Sequence, residues 1–252
     1  MRALAISPTI RALCLAGMVL GFAIACAPAS LLDRGLERVS EGRIRLGSSE
    51  GTLWRGSGLL VEREAGNFHP WADIAWRVDF GESWRGLLVL ALAIDGQPPA
   101  RLSVSIRGFG LELPGTGLPL APLMRTLPHP AARLGWSGRL RADGSLEHCS
   151  WALACDGRLR FSVDALSLEV LPDARLGSYT LDADAGAGAL RIGLAGNEHN
   201  RLTASGRVEV TGNRRSKGEV TLGGERELVR QIGAMTADLA RPAADGTLSF
   251  TW

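Results

Sequence analysis

The hydrophobic and polar positions divide the chain into one long apolar run and a remainder of short alternating segments. Residues 12–32 carry no charge, and Arg2 and Arg11 are the only charged side chains before them. A run of this length can span a hydrocarbon core about 30 Å thick, and basic residues hold the flanking end in the cytoplasm. The pattern predicts a cytoplasmic tail at residues 1–11, a transmembrane anchor at 12–32 and a periplasmic domain at 33–252, in a protein that crosses the cell inner membrane once.

Two other interpretations of the apolar run stay open. Ala25-Cys26-Ala27 has the small-x-small form of a signal-peptide cleavage site, although Pro28 is unfavourable just after a cut. Residues 23–26 also resemble a lipoprotein box, in which Cys26 would carry lipid. We favour an uncleaved anchor, in which Cys14 and Cys26 are small hydrophobic residues of a membrane helix.

After residue 33 the apolar residues alternate with polar ones over five to nine positions at a time. Alternation with period two is typical of strands with one wet face and one dry face, and the glycines and asparagines between the segments favour tight hairpins. The clearest strand candidates are Arg43–Leu46, Arg101–Ile106, Arg158–Val163, Leu190–Leu194, Arg207–Val210 and Thr247–Trp252, and the turn candidates are Ala142–Gly144, Asp156–Gly157, Gly196–Asn197, Gly212–Asn213 and Asp245–Gly246.

Helical patterns are few. Leu31–Glu41 is expected to continue the membrane helix outward, and Leu118–Thr126 to form a short turn after Pro119. Arg226–Asp238 has apolar residues at the spacing of an amphipathic helix. The predicted fold class is therefore mainly β: a large curved antiparallel β-sheet domain with few short helices, following a single N-terminal transmembrane helix.

Glycine phrases predict places where a strand turns a corner and restarts. Three segments have a glycine within a strand pattern: Gly51–Gly58, Leu134–Leu140 and Leu202–Val208. We predict a corner in each, because glycine at such a position marks a bulge or bend. The first has two interpretations, a structural bend and a stretch that a partner contacts because its backbone can be approached closely. The partner-contact residues would be Gly51, Trp54, Arg55, Gly56 and Gly58.

The charge balance excludes nucleic acid as a partner. The chain has 28 basic and 26 acidic residues, a net charge of +2, and no block of five like charges. The densest basic cluster, Arg214, Arg215 and Lys217, is interpreted as a hairpin loop. Seven tryptophans stand beside one tyrosine, and we predict that most of them fill the space between a sheet and its cover.

Two of the four cysteines, Cys149 and Cys155, lie in the predicted periplasmic domain. The periplasm is oxidising, so a disulfide between them is favoured over a zinc site, whose knuckle spacing is shorter. Residues six apart in an extended strand are about 20 Å apart, so a bond requires the segment to turn. Two buried free thiols are the alternative.

No pattern of catalytic residues is present in the sequence. The four histidines, His69, His129, His148 and His199, belong to no metal pair or triad, and no nucleophile elbow or phosphate loop occurs. Asp182 and Asp184 share a strand face and are interpreted as solvated residues, not metal ligands. We therefore predict no catalytic residue, no metal and no cofactor. An enzyme would require a buried cluster, for which Glu147, His148 and Asp156 are the candidates.

Several phrases together resemble the type II secretion system protein N family. They are Gly51–Gly58 (GTLWRGSG), Leu118–Leu120 (LPL), Trp136–Leu140 (WSGRL), Trp151 and Leu176–Tyr179 (LGSY), after an anchor and a small helix. The resemblance implies a non-enzymatic inner-membrane accessory subunit of the machine that exports folded periplasmic proteins across the outer membrane. It also implies other type II secretion components as partners, either the secretin or the inner-membrane platform proteins.

A second resemblance leads to a different class of function. Long β-sheets with an apolar inner face and one N-terminal anchor are similar to AsmA-like envelope proteins, which implies a groove that accommodates or transfers lipid. Burial of acyl chains contributes about 0.8 kcal/mol per methylene. The two functions are distinguished by the inward face, since a closed scaffold covers its apolar side chains and a lipid groove leaves them open.

Overall fold

In the computed structural model the fold is mainly β and antiparallel, as the alternating segments predict. The chain divides into two compact units, Met1–Arg77 and Val78–Trp252. The predicted boundaries at residues 11 and 32 concern the membrane and stay a prediction. The structure describes residues 8–64, 67–81, 86–126, 135–152, 154–170, 175–186, 188–197, 199–211, 216–235, 240–243 and 245–251.

The first unit pairs two helices with a sheet in the order β1-β2-β3. Its elements are α1 (Pro8–Ala25), α2 (Ser30–Val39), β1 (Ile44–Gly51), β2 (Arg55–Glu64) and β3 (Asn67–Asp79). The expectation that residues 31–41 continue the first helix is wrong, because α1 ends at Ala25 and α2 starts anew at Ser30. Pro28, which has no N–H to donate, lies in the break between them.

The described apolar side chains of helix α1 are exposed. The exposed fraction is 67% for Leu15, 78% for Met18 and 71% for Phe22. Within the described part of the chain, however, no helix meets the length and hydropathy expected of a membrane-crossing segment.

Helix α2 is fixed to β1 by two acidic side chains, of which Asp33 makes the most hydrogen bonds. Asp33 accepts hydrogen bonds from Nε of Arg45 at 2.9 Å, from its Nη2 at 2.8 Å and from the backbone N–H of Leu46 at 2.8 Å. Glu37, one turn further along α2, accepts from Nη1 of Arg45 at 3.0 Å. Hydrogen bonding to Arg45 lowers the pKa of Asp33, against the smaller opposing effect of burial.

Replacement of this carboxylate should remove a pH-dependent part of the stability. A carboxyl with a lowered folded-state pKa stabilises the fold above its unfolded pKa of about 4 and loses that contribution as the pH falls through the folded value. We expect Asp33→Asn to lower the free energy of unfolding by about 1.5–3 kcal/mol at neutral pH. Urea unfolding in detergent at neutral pH and at about pH 3 measures it, and the gap between variant and wild type should narrow in acid.

The matched control is Glu37→Gln, because this half-exposed carboxylate touches the same guanidinium. An exposed ion pair contributes about 1 kcal/mol or less, so this change should have a small effect. Equal losses from the two variants, or a gap that does not depend on pH, would contradict the assignment to Asp33.

The second unit is a sheet whose strands are neighbours in chain order up to β12, followed by β14 and β13. Its strands are β4 (Leu87–Ile94), β5 (Ala100–Ser105), β6 (Gly108–Pro119), β7 (Trp136–Ser150), β8 (Asp156–Leu168), β9 (Arg175–Gly186), β10 (Ala189–Gly196), β11 (Leu202–Thr211), β12 (Ser216–Gly224), β13 (Arg241–Pro242) and β14 (Leu248–Thr251); its helices are α3 (Leu120–Thr126) and α4 (Arg226–Met235). The short helical turn predicted at 118–126 is present as α3, although Leu118 and Pro119 belong to β6, and the helix predicted at 226–238 is present as α4, with residues 236–239 outside the described part.

The predicted strands are confirmed, except that Ile106 lies in the turn after β5 and Trp252 lies outside the described residues. Several predicted corners are wrong. Ala142–Gly144 lies inside β7, Asp156–Gly157 opens β8, and the glycine phrase 202–208 runs straight through β11. Gly206 fits there because a Cβ would lie 2.8 Å from the Val220 side chain on the neighbouring strand. The corners at residues 196–197 and 245–246 are confirmed, while 212–213 and most of the basic cluster lie outside the described residues.

The buried core of this unit lies under α4. Leu228, Val229 and Ile232 project from one face of the helix into an apolar cluster that also contains Tyr179. The other buried members are Leu168, Leu176, Leu202, Ala204, Ala240 and Leu248. The Tyr179 hydroxyl donates to the Leu202 carbonyl oxygen at 2.6 Å, and burial raises its pKa to about 12. This end of the sheet is therefore a closed two-layer structure.

Candidate interaction surfaces

The Gly51–Gly58 segment forms the turn between β1 and β2 and holds the junction of the two helices. The Leu53 N–H donates to the Ala27 carbonyl at 2.8 Å, and the Ala29 N–H to the Gly51 carbonyl at 3.2 Å. The Trp54 indole N–H donates at 2.8 Å to the Ile24 carbonyl near the end of α1. The turn thus supplies a donor to the Ala27 carbonyl oxygen and a second donor to the Ile24 carbonyl oxygen, which also accepts from the Ala27 N–H at 3.2 Å.

The glycines of this turn allow close approach within the chain itself. A Cβ on Gly56 would lie 2.6 Å from the Trp76 ring and 2.3 Å from the Glu50 carbonyl oxygen, and a Cβ on Gly58 would lie 2.8 Å from Leu46. Gly51 has a φ of 93°, which side-chain-bearing residues rarely adopt. The structural bend is thus present, and Trp76 and Leu46 fill the space that the glycines leave.

Gly51 and Arg55 are the exposed residues of the predicted partner-contact stretch, and Arg55 is the one of the two with a side chain. Its backbone pairs with Arg77 across β2 and β3, while its side chain lies on the surface. A partner contact at Gly51, Trp54, Arg55, Gly56 and Gly58 stays a prediction, and among these residues Arg55 is the one best placed to make it.

An apolar face runs across β4, β5 and β6 of the second unit. The register pairs Leu90 with Leu102 and Leu102 with Leu111, and directly paired residues share a sheet face. Its other members are Leu88, Val104 and Phe109, and each of the six is half-buried. Among the described residues, none of the six belongs to the core cluster under α4.

The opposite face of the same strands carries Leu87 and Val89 beside the small residues Ser103 and Ser105, and these residues line a cleft of about 890 Å³. Ser103 lies opposite Gly110, and Ser105 opposite Gly108. Each hydroxyl donates to the carbonyl of its glycine partner, at 3.3 Å and 3.2 Å. The two serine hydroxyls therefore bond to backbone carbonyl oxygens of the neighbouring strand and not to the side chain of a general base.

The three candidates for the buried cluster that an enzyme would require are exposed. Glu147 of β7 and Asp156 of β8 are cross-strand partners, and both are exposed. His148, the residue after Glu147 in β7, is also exposed. Asp182 accepts from Arg160 at 2.6 Å, and Asp184 bonds to Arg158. Within the described ranges, no group of three acidic, histidine or cysteine side chains is arranged to hold a metal.

Comparison with known proteins decides the family. A family model described as type II secretion system (T2SS), protein N matches residues 42–251. The chain belongs to the type II secretion system protein N family. Neither the search of curated proteins nor that of solved structures gave a match.

Two phrases that resemble the protein N family have clear structural roles in this member. Leu176–Tyr179 opens β9, where the Ser178 backbone forms two hydrogen bonds with the Asn200 amide, at 2.9 Å and 2.7 Å. In Trp136–Leu140 the register of β7 against β8 shifts between Ser137 and Arg139, where the intervening glycine faces a β-bulge at Ala165 and Leu166 of β8. Both phrases therefore shape strands and do not present reactive groups.

Cys149 and Cys155 are joined by a disulfide, with their Cα atoms 4.0 Å apart. The bond closes the turn between β7 and β8, where the Ser150 N–H donates to the Ala154 carbonyl at 2.8 Å. Cys149 is 1% exposed. The turn brings together two residues that an extended strand would hold far apart.

Loss of this bond should destabilise the protein N domain moderately. For a loop this short, the entropy of the unfolded chain gives about 2 kcal/mol. We expect Cys149→Ser with Cys155→Ser to lower the free energy of unfolding by that amount in urea titrations without reductant. The control is Cys14→Ser with Cys26→Ser, which changes the two exposed thiols at α1. Identical stability of the two double variants would contradict the expectation.

Proposed function

We propose that this protein is a non-enzymatic inner-membrane subunit of the type II secretion system, supporting export of folded periplasmic proteins across the outer membrane. The observation that carries the proposal is the protein N family match, which covers residues 42–251. The exposed, already paired charges of the sheet agree with a role in assembly rather than catalysis.

The proposal includes membrane anchoring through residues 12–32, with the N-terminus cytoplasmic and the main domain periplasmic. Two observations support it. The segment carries no charge, and the described side chains of α1 from Leu15 to Ile24 are exposed, so the first unit does not cover them. Burying such side chains in lipid contributes about 1.5–3 kcal/mol each.

An arginine in the middle of this helix tests the anchor. Arginine at the centre of a membrane helix costs about 2.5–3.5 kcal/mol, so Leu20→Arg should move a measurable fraction of the protein out of the membrane pellet after alkaline extraction. Val39→Arg is the matched control, because Val39 is 87% exposed at the end of α2. Equal extraction of both variants would count against the anchor.

The proposed partners are the secretin or the inner-membrane platform proteins of the same machine. The test is crosslinking and co-purification of the intact protein from its own membranes, with mass spectrometry of both proteins and lipids. Recovery of secretion components, together with retention of a secreted protein in the periplasm of a deletion strain, is the expected result. Normal secretion by the deletion strain and no secretion component in the purified material would overturn the proposal.

A second candidate function, accommodation of lipid in an apolar groove, is favoured by one observation. The apolar face of β4–β6 is half-buried, and the helices that pack on this sheet lie at β7 and β12. An acyl chain on Leu90, Leu102 and Leu111 would be shielded from water. Phospholipid at fixed stoichiometry in the purified protein, reduced by Leu102→Gln and unchanged by Ser103→Gln on the opposite face, would support this function over the first.

A further inference from the structure

Two exposed apolar side chains meet at one end of the sheet in the second unit. Ile106, in the turn between β5 and β6, is 89% exposed, and Trp151, in the turn between β7 and β8, is 61% exposed. Ser105 pairs with Gly108, and Gly108 with Ser150, so the two turns lie at the same end of the sheet. The Trp151 indole N–H donates to the Ile106 carbonyl at 3.2 Å. We call this pair the Ile106–Trp151 tip.

The tip is held in place by its surroundings. The Trp151 ring lies 5.9 Å from the Phe109 ring, and the Cys149–Cys155 disulfide closes the loop that carries it. The Arg107 N–H donates to the Ser105 hydroxyl at 3.2 Å in the other turn. These contacts hold the Trp151 ring and the backbone of the turn that carries Ile106, so the fold keeps the two residues together at this end of the sheet.

The chemistry of the tip matches the boundary between lipid headgroups and acyl chains. Tryptophan concentrates at this boundary, and the indole N–H of Trp151 already has a partner. Arg107 is the one charge among the described residues of the two turns, 106–107, 151–152 and 154. A guanidinium beside an apolar side chain is suited to a lipid phosphate.

The size of the tip argues against a protein as its occupant. Two side chains of this kind expose at most a few hundred Å². A stable protein interface buries about 800 Å² on each partner. A weak contact of this size suffices for a chain that is already tethered to a bilayer, because the tether keeps the local lipid concentration high.

We propose that the Ile106–Trp151 tip inserts shallowly into the surface of the phospholipid bilayer to which the chain is anchored. The inference rests on the anchoring part of the proposed function. The anchor and the tip then form two separate membrane contacts, one spanning and one at the surface. The second contact limits how the sheet can rotate about its tether.

Spin labelling of the full chain in liposomes of phosphatidylethanolamine and phosphatidylglycerol tests the tip. In a Cys14→Ala, Cys26→Ala background, a nitroxide is attached separately through Ile106→Cys, Val170→Cys or Leu20→Cys. Val170 is the matched control, since it is an apolar residue, 46% exposed, just after β8 and so at the opposite end of the sheet. Power saturation compares collisions with oxygen, which enters lipid, and with a nickel chelate, which stays in water.

We expect the oxygen-to-nickel accessibility ratio at position 106 to exceed that at 170 several-fold. Equal ratios at 106 and 170, with the label at 20 in lipid, would overturn the tip and leave the anchor standing. Low accessibility to both reagents at 106 would mean that protein covers the tip, which also overturns the proposal. A water-exposed label at 20 would instead refute the anchor.

Discussion

Leu228→Ala is expected to lower the free energy of unfolding by about 2–5 kcal/mol, the largest stability loss predicted for this chain. Leu228 is 4% exposed and projects from α4 into the core cluster. Truncation removes buried methyl groups and leaves a cavity, and both effects destabilise. Since α4 packs on β12 and the cluster includes Leu202 and Leu248, the loss should reach the C-terminal strands. Urea unfolding followed by circular dichroism in detergent measures it.

Arg226→Ala on the same helix provides the control. Arg226 is exposed at the first turn of α4, so its removal should change stability by about 0.5 kcal/mol or less. If Leu228→Ala were as mild as this control, α4 would not cover the core as the structure places it.

Gly56→Ala is expected to destabilise the first unit at the turn between β1 and β2. The added methyl would overlap the Trp76 ring and the Glu50 carbonyl oxygen, and overpacking of this kind costs about 1–3 kcal/mol. Because the same turn holds the end of α1, we also expect reduced secretion in a complementation assay. Unfolding of the purified variant and the amount of a secreted protein in the medium are the two measurements.

A comparison with two neighbours separates packing from partner contact. Ser57→Ala, at an exposed position in the same strand, should leave stability and secretion unchanged. Arg55→Ala removes the exposed side chain proposed to meet a partner. Secretion lost by Arg55→Ala with unchanged stability would indicate partner binding at this turn, whereas normal secretion by both Arg55→Ala and Gly56→Ala would exclude a functional role for it.

Alternation along the chain predicted the strands well, because side-chain direction in a strand depends only on local geometry. Glycine was less informative. Gly144 reads as a turn residue, yet it lies within β7 at a φ of 117°, where a Cβ would lie 2.2 Å from the Arg158 carbonyl oxygen. A single sequence does not distinguish a glycine that turns the chain from one that lets a neighbouring strand approach.

The candidate surfaces were predictable only in part. The Gly51–Gly58 phrase was recognisable as a bend, but its bonds to the end of α1 depend on Ala27 and Ile24, which are distant in sequence. The alternation places Leu90, Leu102 and Leu111 on one face without indicating what covers them. Trp151 departs from the expectation that tryptophans lie under a cover, because its exposure is set by the β7–β8 turn and the disulfide.

From β4 to β12 each strand hydrogen-bonds to the strand that follows it in the chain. Pairing of sequence neighbours closes short loops, so little entropy is lost before each new ladder forms. A domain delivered unfolded across a membrane, amino end first, could therefore assemble one hairpin at a time without waiting for its last residues. During this process the most recently formed strand would have an unpaired edge, and α4 and β14 would be added after β12. Folding in step with translocation is thus compatible with this connectivity.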